Sequence, residues 1–426
     1  MLLKTRKDAC DQPGLMPVDE AISRICTAIR PVATEVKPLS QAMGCVLAEP
    51  IVSQINVPGM DNSAMDGYAL NIKDLKKSPL VISQRIPAGQ QPEPLQPGTC
   101  ARIFTGAPLP AGADTVVMQE KVKVDGDRAC FHTHIDTPHQ GDFVRKAGQD
   151  IQQGRVLLNT GSRLDAVALG LVASVGQAEV VVYKKPKVAL LSTGDELVEP
   201  GAPLQAGQIF NSNRYMLLSL LANLGCEVID SGIIPDDREA TVKALQKAAC
   251  QADLVISSGG VSVGEEDHVK PAIEQQGSLN LWRMAMKPGK PLAFGQIKTP
   301  EGETPFIGLP GNPVSSLLTC LVVVRTALGV LQGRGEVPAP VYRHAEAEFN
   351  IDAGERREYL RVRRVRLRPG DLPSQPMRVE LAPSQNSGVL TSCQWADALA
   401  IVEPGQKVRE GDWVRYLPMD YLMLAP

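Results

Sequence analysis

The sequence has few aromatic residues, no excess of one charge sign and no apolar leader. Aromatics make up 4% of its 426 residues, and 44 Lys and Arg nearly balance 47 Asp and Glu. The opening stretch, MLLKTRKDACDQPG, has no apolar run typical of a signal peptide, and no later stretch suggests a transmembrane span. We therefore expect a cytoplasmic protein that binds neither nucleic acid nor an acidic membrane through its overall charge.

Paired cysteines are also lacking. The nine cysteines lie far apart, are odd in number and form no CxxC pair, which favours reduced thiols over disulfides or a zinc site. His132, His134 and His139 cluster in one polar stretch and raise the alternative of a metal site. No cysteine or carboxylate spacing completes a tetrahedral set there, and the stretch is typical of a surface hairpin.

The length predicts two to four domains, and 43% apolar with 21% charged residues is typical of a globular protein. Apolar residues at helical spacing predict helices over Val18–Ile29, Ser40–Leu47 and about 162–176. Between them lies a Pro- and Gly-rich region with short strand-like runs. We predict an elongated helical domain, residues 15–50 and 145–185, split by a β-rich insert, residues 51–144.

Strand and helix alternate through the next region. VALLSTG, CEVIDSGII and DLVISSGG are apolar strands, with helices predicted at NRYMLLSLLANLG, at Arg238–Ala249 and after GLPGNPVSS. This spacing implies βαβ crossovers and a doubly wound, mostly parallel sheet over residues 186–333. Short alternating strands after the linker GRGEVPAP predict a small β domain over residues 338–426. The fold class is therefore multidomain α/β plus β.

Acidic residues follow three strands of the predicted sheet, where ligands bind in such folds. Each acidic loop alone is explained by turns or helix caps. Three on one edge crowd negative charge, which requires raised pKa values or a bound cation. Because carboxylates without nearby His or Cys suit Mg²⁺, we predict a magnesium site that uses some of Glu196, Asp236 and Asp267.

The same domain offers features for binding an anion. The glycines of GGVSVG leave backbone open to a phosphate or flat ring. Prolines restrict the KPGKP loop, which carries Lys287 and Lys290. In GLPGNPVSS, Asn312 is a candidate N-cap and Pro313 the first helical residue, so free N–H groups beside Ser315 would form an anion site. The alternative is a well-capped helix with solvated lysines.

Three further motifs hold candidate residues outside this domain. In PGMDNSAMDGYAL, turn chemistry explains Asp61 better than Asp66. RIFTGAP places Thr105 at a strand end, and RKAGQD offers Arg145 and Asp150.

The predicted strand REYLRVRRVRLR is rich in arginine. Arg361 and Arg363 share one face, while Leu360 and Val362 share the other with Arg364, which breaks the alternation and allows a bulge. Either this is a solvated basic face, or one or two of its arginines reach an oxyanion.

These motifs together resemble one family. PGMDNSAMDGYAL, RIFTGAP, STGDEL, SSGGVSVGEEDHVK, MKPGKP and GLPGNPVS, in this order, are similar to the molybdopterin molybdenumtransferases, the MoeA-type proteins that include the C-terminal domain of gephyrin. The similarity begins near residue 15. SSGGVSVG and TGDEL alone would also suit related pterin-binding adenylyltransferases. The resemblance implies a homodimer of four-part subunits, with the cleft between the β insert of one subunit and the pterin-binding and terminal domains of the other.

Residue roles also follow from the resemblance. Lys287 would hold the anionic substrate, Pro310 and Pro313 would shape the cleft floor, and Arg361 and Ser387 would lie beside molybdate. The resemblance implies six further cleft residues: Asp66, Thr105, Asp150, Glu196, Asp236 and Asp267.

The implied reaction is magnesium-dependent insertion of molybdate into adenylylated molybdopterin, with release of AMP. Lys290 and Arg283, which stands where relatives often have Lys, would help bind substrate. Since carboxylates and molybdate are both negative, the cation and basic side chains must mediate between them. Further candidate partners are the molybdopterin adenylyltransferase and acceptor molybdoenzymes or their chaperones.

Two alternatives remain. An adenylyltransferase shares the pterin-binding fold, but the β insert and terminal domain argue against it. A catalytically silent scaffold is the other, and intact Asp66, Glu196 and Lys287 argue against that.

Overall fold

The computed structural model describes residues 15–131, 137–260, 268–335, 340–365 and 376–425. They form two compact units. One is Val36–Val181, and the other joins the residues up to Glu35 with those from Val182 onward.

The first helix confirms the prediction for this segment. Helix α1 (Val18–Ala28) buries Val18, Ala21 and Ile25, which lie on one face because they are spaced by three and four residues. Asp19 and Glu20 occupy its first turn, where negative charge favours the helix dipole. The helix packs into the main core of its unit.

The predicted helix over Ser40–Leu47 is wrong. Only Leu39–Gln41 forms a single 3₁₀ turn, and the chain then turns at Gly44. Gly44 has a φ of +75°, a left-handed conformation that a right-handed helix cannot contain. The apolar spacing there instead places Ala42 and Leu47 in the interior of an irregular segment.

The unit Val36–Val181 is mostly β structure. The elements from the start of this region onward are β1 (Thr34–Pro38), β2 (Ile51–Val52), β3 (Asn62–Ser63), β4 (Gly67–Leu70), β5 (Leu80–Ile86), β6 (Thr99–Ile103), β7 (Thr115–Met118), β8 (Val122–Asp125), β9 (Arg128–Phe131), β10 (Val144–Arg145), β11 (Val156–Leu158), α2 (Ala166–Ser174) and β12 (Glu179–Tyr183). The central sheet has the order β7-β4-β6-β5-β9-β8, in which only β5 and β6 run parallel, and it carries two small apolar clusters. Two further pairs of strands are β2 with β11 and β3 with β10.

The doubly wound sheet is confirmed. Its elements are β13 (Lys187–Thr193), β14 (Leu197–Val198), β15 (Ile209–Phe210), α3 (Ser212–Asn223), β16 (Glu227–Ile234), α4 (Arg238–Gln251), β17 (Leu254–Ser258), α5 (Val269–Gln276), β18 (Gly277–Arg283), β19 (Met286–Lys287), β20 (Pro291–Thr299), β21 (Gly302–Leu309), α6 (Pro313–Thr319) and α7 (Arg325–Leu331). The order is β16-β13-β17-β21-β20-β18; the first four strands pair in parallel, and β20 pairs antiparallel with both β21 and β18.

Strand β13 explains why the central strands are continuous apolar runs. Val188 and Leu190 face one core cluster, while Ala189 and Leu191 face the other. Helices cover both faces of the sheet, so successive side chains are buried on opposite sides.

One stretch corrects the expectation about apolar length. Residues Pro313–Leu331, which join α6 and α7 through a π-helical segment at Cys320–Val324, are long and apolar enough by composition to cross a membrane. This stretch is 83% buried within the protein, so its apolar character is that of a core helix.

The C-terminal part is a small β barrel. Its elements are β22 (Arg343–Ala347), β23 (Ile351–Asp352), β24 (Arg357–Val365), β25 (Arg378–Leu381), α8 (Thr391–Trp395), β26 (Ala398–Val402), β27 (Lys407–Val408), β28 (Trp413–Pro418) and α9 (Met419–Leu422). Strands β24, β25, β22, β28 and β26 pair in turn, and β26 pairs back with β24, which closes the ring. Strand β24 keeps an unbroken register with β25 and β26 over its described length, so the bulge allowed by the sequence is not formed there.

Candidate active site

A cleft of about 1130 Å³ lies at the carboxyl ends of β13, β17 and β21. Open parallel sheets form their ligand sites at this edge because loops leave neighbouring strands there. Nine residues predicted from the sequence line it: Glu196, Asp236, Lys287, Lys290, Pro310, Asn312, Pro313, Ser315 and Ser387.

The acidic side of the cleft is built by two loops that bind each other. The Asp195 N–H donates to Asp236 Oδ2 at 3.2 Å, and the Asp236 N–H donates to Asp195 Oδ1 at 3.1 Å. This exchange holds the loops after β13 and β16 together. It brings Glu196 and Asp236 to the same cleft, as predicted. The third predicted ligand, Asp267, lies outside the described residues.

Gly194 makes room for the Glu196 carboxylate. A Cβ built on Gly194 would lie 2.3 Å from Glu196 Oε2, closer than nonbonded atoms approach. The backbone φ of +139° at Gly194 also disfavours a side chain. The STGDE sequence therefore uses its glycine to let the carboxylate fold back over the loop.

The basic side is the loop from Lys287 to Lys290. Lys287 Nζ lies 2.9 Å from Glu358 Oε1, and the Glu358 side chain is only 4% exposed whereas that of Lys287 is 49% exposed. The pair forms because β19 runs parallel to β24, with Lys287 opposite Glu358. Lys287 therefore has one partner below it and an exposed flank toward the cleft.

The start of α6 forms the cleft floor. Asn312 occupies the N-cap position and Pro313 the first helical position, as predicted, but the Asn312 side chain makes no capping bond. The Ser387 carbonyl instead accepts a 3.0 Å hydrogen bond from the Val314 N–H. One of the N–H groups expected to be free for an anion is thus used to attach the loop that carries Ser387.

Arg361 is not brought to the cleft wall. It is 1% exposed and lies beneath the 384–388 loop, where its Nη2 donates to the carbonyls of Ser384 at 3.4 Å and Asn386 at 3.3 Å. Burial lowers the pKa of Arg361 from its ordinary value. Arg356, five residues earlier, lines the cleft instead.

Arg283 lies in a neighbouring pocket. This pocket of about 380 Å³ is lined by Arg283 together with Lys287, Lys290 and Arg356, and the last three also line the main cleft. The two cavities thus share a cationic wall.

In the other unit, Asp66 and Thr105, two separate candidates of the sequence analysis, are in direct contact. Asp66 Oδ1 accepts from both the Thr105 N–H and the Thr105 hydroxyl, each at 2.8 Å. The backbone bond, then the hydroxyl bond, lowers the pKa of Asp66. Asp150 is exposed, and its N–H donates to the Val57 carbonyl at 3.0 Å. Asp61 pairs with Lys146 at 2.7 Å, a second explanation for that residue beside turn chemistry.

Sequence reasoning missed several polar residues that line the cleft. Asn211 and Asn213 begin α3, where an N-cap role explains the pattern, and Gln385 lies in a loop with no motif. Thr193 and Ser258 end β13 and β17, and their strand positions were the available signal. The missed lining residues are Thr193, Asn211, Asn213, Ser258, Arg356, Gln385 and Asn386.

The residues present fit magnesium. Two carboxylates with no His or Cys beside them suit a cation that keeps several waters and shares phosphate oxygens. Within the described ranges, no group of three or more His, Cys, Asp and Glu side chains converges as a metal site. His132 and His134 lie outside these ranges, while the N–H of His139 donates to Asp142.

Three family models match consecutive parts of the chain. The MoeA N-terminal region, domains I and II, matches residues 16–176; a probable molybdopterin binding domain matches 189–329; and the MoeA C-terminal region, domain IV, matches 345–419.

Similar proteins and structures agree with these models. The molybdopterin molybdenumtransferase of Haemophilus influenzae is 44% identical, over 79% of this chain and 83% of the relative. That of Nostoc is 38% identical, over 88% and 86%. The molybdopterin biosynthesis MoeA protein of Pyrococcus horikoshii has a TM-score of 0.78 at 31% identity, covering 95% of this chain and 99% of that one.

Proposed function

This chain belongs to the MoeA family of molybdopterin molybdenumtransferases, transferases of molybdenum cofactor biosynthesis, and we propose that it inserts molybdate into adenylylated molybdopterin with release of AMP in a magnesium-dependent reaction. The observation that carries the proposal is one cleft that is lined both by the carboxylates Glu196 and Asp236 and by Lys287 and Lys290. That pairing of charges suits two anionic substrates that must approach each other.

The carboxylates and the lysines have separate tasks. Glu196 and Asp236 would hold magnesium, which when bound supplies positive charge to the substrate phosphates and the carboxylates. Lys287 and Lys290 would hold substrate oxyanions directly, because each offers several N–H donors and a compact charge. Without magnesium and the lysines, the carboxylates would repel both anionic substrates. With the lysines but without magnesium, Glu196 and Asp236 would have no cation to bind.

Molybdate would bind at the cationic wall beside Ser387. Arg356 lines the same cleft as Ser387, and Arg356, Lys287 and Lys290 together form the wall shared with the neighbouring pocket. Arg361, expected beside molybdate, would instead hold the loop in place, because it lies under the loop and donates to the carbonyls of Ser384 and Asn386. Arg283 would add charge from the neighbouring pocket.

The residues of the other unit are assigned by the family resemblance. We propose Asp66 and Thr105 as catalytic residues and Asp150 as a substrate-binding residue. Their mutual geometry supports the first pair, since the N–H and then the hydroxyl of Thr105 donate to Asp66, lower its pKa and fix the direction of its carboxylate.

The test is a reaction with purified components. Incubation with adenylylated molybdopterin, molybdate and Mg²⁺ should release AMP and give cofactor that activates an apo-molybdoenzyme. Incubation with molybdopterin and MgATP separates the rival, because an adenylyltransferase would make the adduct that a molybdenumtransferase consumes. Accumulation of the adduct, or no AMP release with molybdate, would overturn the proposal.

Magnesium binding is tested separately by calorimetry. Glu196→Gln and Asp236→Asn should each weaken Mg²⁺ binding in the presence of AMP. Asp237→Asn is the matched control, because Asp237 caps α4 by accepting from the Ala240 N–H and does not line the cleft. Equal Mg²⁺ affinity in the unaltered protein and all three variants would overturn the proposed magnesium site.

We further propose that the protein is a cytoplasmic homodimer that receives substrate from the molybdopterin adenylyltransferase and passes product to acceptor molybdoenzymes or their chaperones. One chain has a mass of 45.7 kDa, and light scattering of the purified protein should give twice that mass. A monomer at micromolar concentration would contradict the dimer.

A further inference from the structure

Among the described residues that line the main cleft, three polar side-chain atoms, at the end of β13 and the start of α3, are buried and have no hydrogen-bond partner in the described part of the chain. They are Thr193 Oγ1, Asn211 Nδ2 and Asn213 Oδ1, and all three residues line the main cleft. Asn211 is 2% exposed and Thr193 9%. A buried polar atom without a partner is unfavourable, so three in one cleft wall indicate a ligand that satisfies them.

Existing contacts fix the polarity of both amides. Asn211 Oδ1 accepts from the Arg214 N–H at 3.2 Å as the N-cap of α3, which leaves its NH₂ group as the atom without a partner. Asn213 Nδ2 donates to Ser258 Oγ at 3.1 Å and the Gly311 carbonyl at 2.7 Å, which leaves its oxygen. Neither amide can turn over without losing these bonds, so the wall presents one donor and one acceptor.

Apolar side chains stand beside this pair. Ile209 and Phe210, the residues of β15, are 55% and 43% exposed and line the same cleft. Flat aromatic ligands pack on such side chains while their edges find hydrogen bonds.

We propose that Asn211 and Asn213 select the substrate by reading the edge of a flat heterocycle that carries an acceptor and a donor side by side, with Ile209 and Phe210 against its face. The lactam edge of a pterin and the amidine edge of adenine both have this chemistry. The inference rests on the proposed function, which brings both rings to this cleft, and the hydroxyl of Thr193 would take a third bond.

The test changes the donor of Asn211 and keeps its cap. Asn211→Asp retains the capping oxygen, since Asp caps helices as well as Asn, but presents an acceptor where the NH₂ group stood. Asn211→Ser also caps and adds no charge. Asp165→Asn is the matched control, a reverse exchange at the cap of α2, where Asp165 accepts from the Ala168 N–H. Asn213 is left intact because its NH₂ group holds Ser258 and Gly311.

Two uncharged probes report on the wall by equilibrium dialysis, 6-hydroxymethylpterin for the pterin edge and adenosine for the base. In both Asn211 variants the Kd of one probe should rise roughly 5- to 100-fold, the effect of leaving one hydrogen bond unmade. The probe that weakens identifies which ring this wall holds. If the adenine base binds at this wall, purine riboside, which lacks the amino donor of adenosine, should bind weakly to the unaltered protein. Its Kd should then be similar to that of adenosine with the Asn211 variants.

The proposal is overturned if neither probe changes affinity in the Asn211 variants, or if neither binds the unaltered protein at millimolar concentration. Thermal unfolding of every variant excludes loss of the fold as the cause. AMP release from adenylylated molybdopterin separates the two claims. A protein that binds a probe through Asn211 but releases no AMP would refute the proposed reaction alone, whereas an active protein with unchanged probe affinities would refute this inference alone.

Discussion

The side-chain amide of Gln385 closes two hydrogen bonds on the backbone of Arg361. The Arg361 N–H donates to Gln385 Oε1 at 3.0 Å, and Gln385 Nε2 donates to the Arg361 carbonyl at 2.9 Å. The Arg361 side chain in turn binds the carbonyls on either side of Gln385, those of Ser384 and Asn386. Strand β24 and the loop that carries Ser387 therefore fix each other.

These contacts predict that Arg361→Met raises the KM for molybdate, although Arg361 itself does not line the cleft. The free energy of unfolding should fall by about 1–3 kcal/mol, because the backbone carbonyls of Ser384 and Asn386 lose the charged donor that the buried Arg361 supplies. The KM for molybdate should rise as the Ser387 loop loosens. The control is Arg363→Met on the same face of β24, where the arginine is exposed and paired with Glu380, and it should leave KM unchanged. An unaltered KM in Arg361→Met would refute the positioning role.

The Lys287–Glu358 pair predicts that the contribution of Lys287 to stability can be separated from its contribution to substrate affinity. Lys287→Met should lower the free energy of unfolding by about 1–3 kcal/mol, since it leaves the buried Glu358 carboxylate unpaired. Adding Glu358→Gln should restore most of that stability, because a neutral amide costs less to bury. Substrate affinity, measured by calorimetry with AMP, should stay low in the double variant. Recovery of affinity would mean that Lys287 serves only its ion pair.

Gly289 predicts a steric effect on the lysine loop. Its φ is +110°, and a Cβ there would lie 2.7 Å from Thr319 Oγ1 in the core helix. Gly289→Ala should therefore displace Lys287 and Lys290 and weaken AMP binding. Gly201→Ala is the matched control, with a φ of +98° and nothing within 4 Å of the added atom. Equal losses of affinity in both variants would assign the effect to backbone strain alone.

The Asp66–Thr105 contact predicts a pKa change that NMR can follow. Thr105→Val removes the hydroxyl donor but keeps the N–H donor, so the pKa of Asp66 should rise yet stay below its ordinary value. Because the folded-state pKa is lowered, the stabilisation from this contact is present above the ordinary pKa and is lost as the pH falls through the folded value. The pKa of Asp74, which Lys77 and the Gly98 N–H lower, should not move. A common shift of both residues would indicate a general structural change.

Local patterns were sufficient for much of the fold. The helix Val18–Ala28 and the apolar run of β13 follow from periodicity, since each pattern is complete within a dozen residues. Ser40–Leu47 failed for a local reason too, because a single left-handed glycine outweighs the apolar spacing around it.

Arginine placement could not be predicted in the same way. Alternation puts Arg361 and Arg363 on one face of β24, yet the first is 1% exposed and the second is exposed. The difference arises from the 384–388 loop, which is remote in sequence and covers only Arg361. Arg356, just before the strand, lines the cleft, and its Nη1 donates to the carbonyl of Met286, which is 70 residues earlier in the chain.

The sequence by itself determined the parallel sheet and the acids at its carboxyl edge, because strand period and chain direction are local properties that place each Asp and Glu after its strand. Tertiary structure decided which cations share a cleft with those acids. Lys287 reaches its place through the pairing of β19 with β24, and Ser387 through a bond to the start of α6. These contacts join segments about 70 residues apart, and no pattern within either segment encodes its partner.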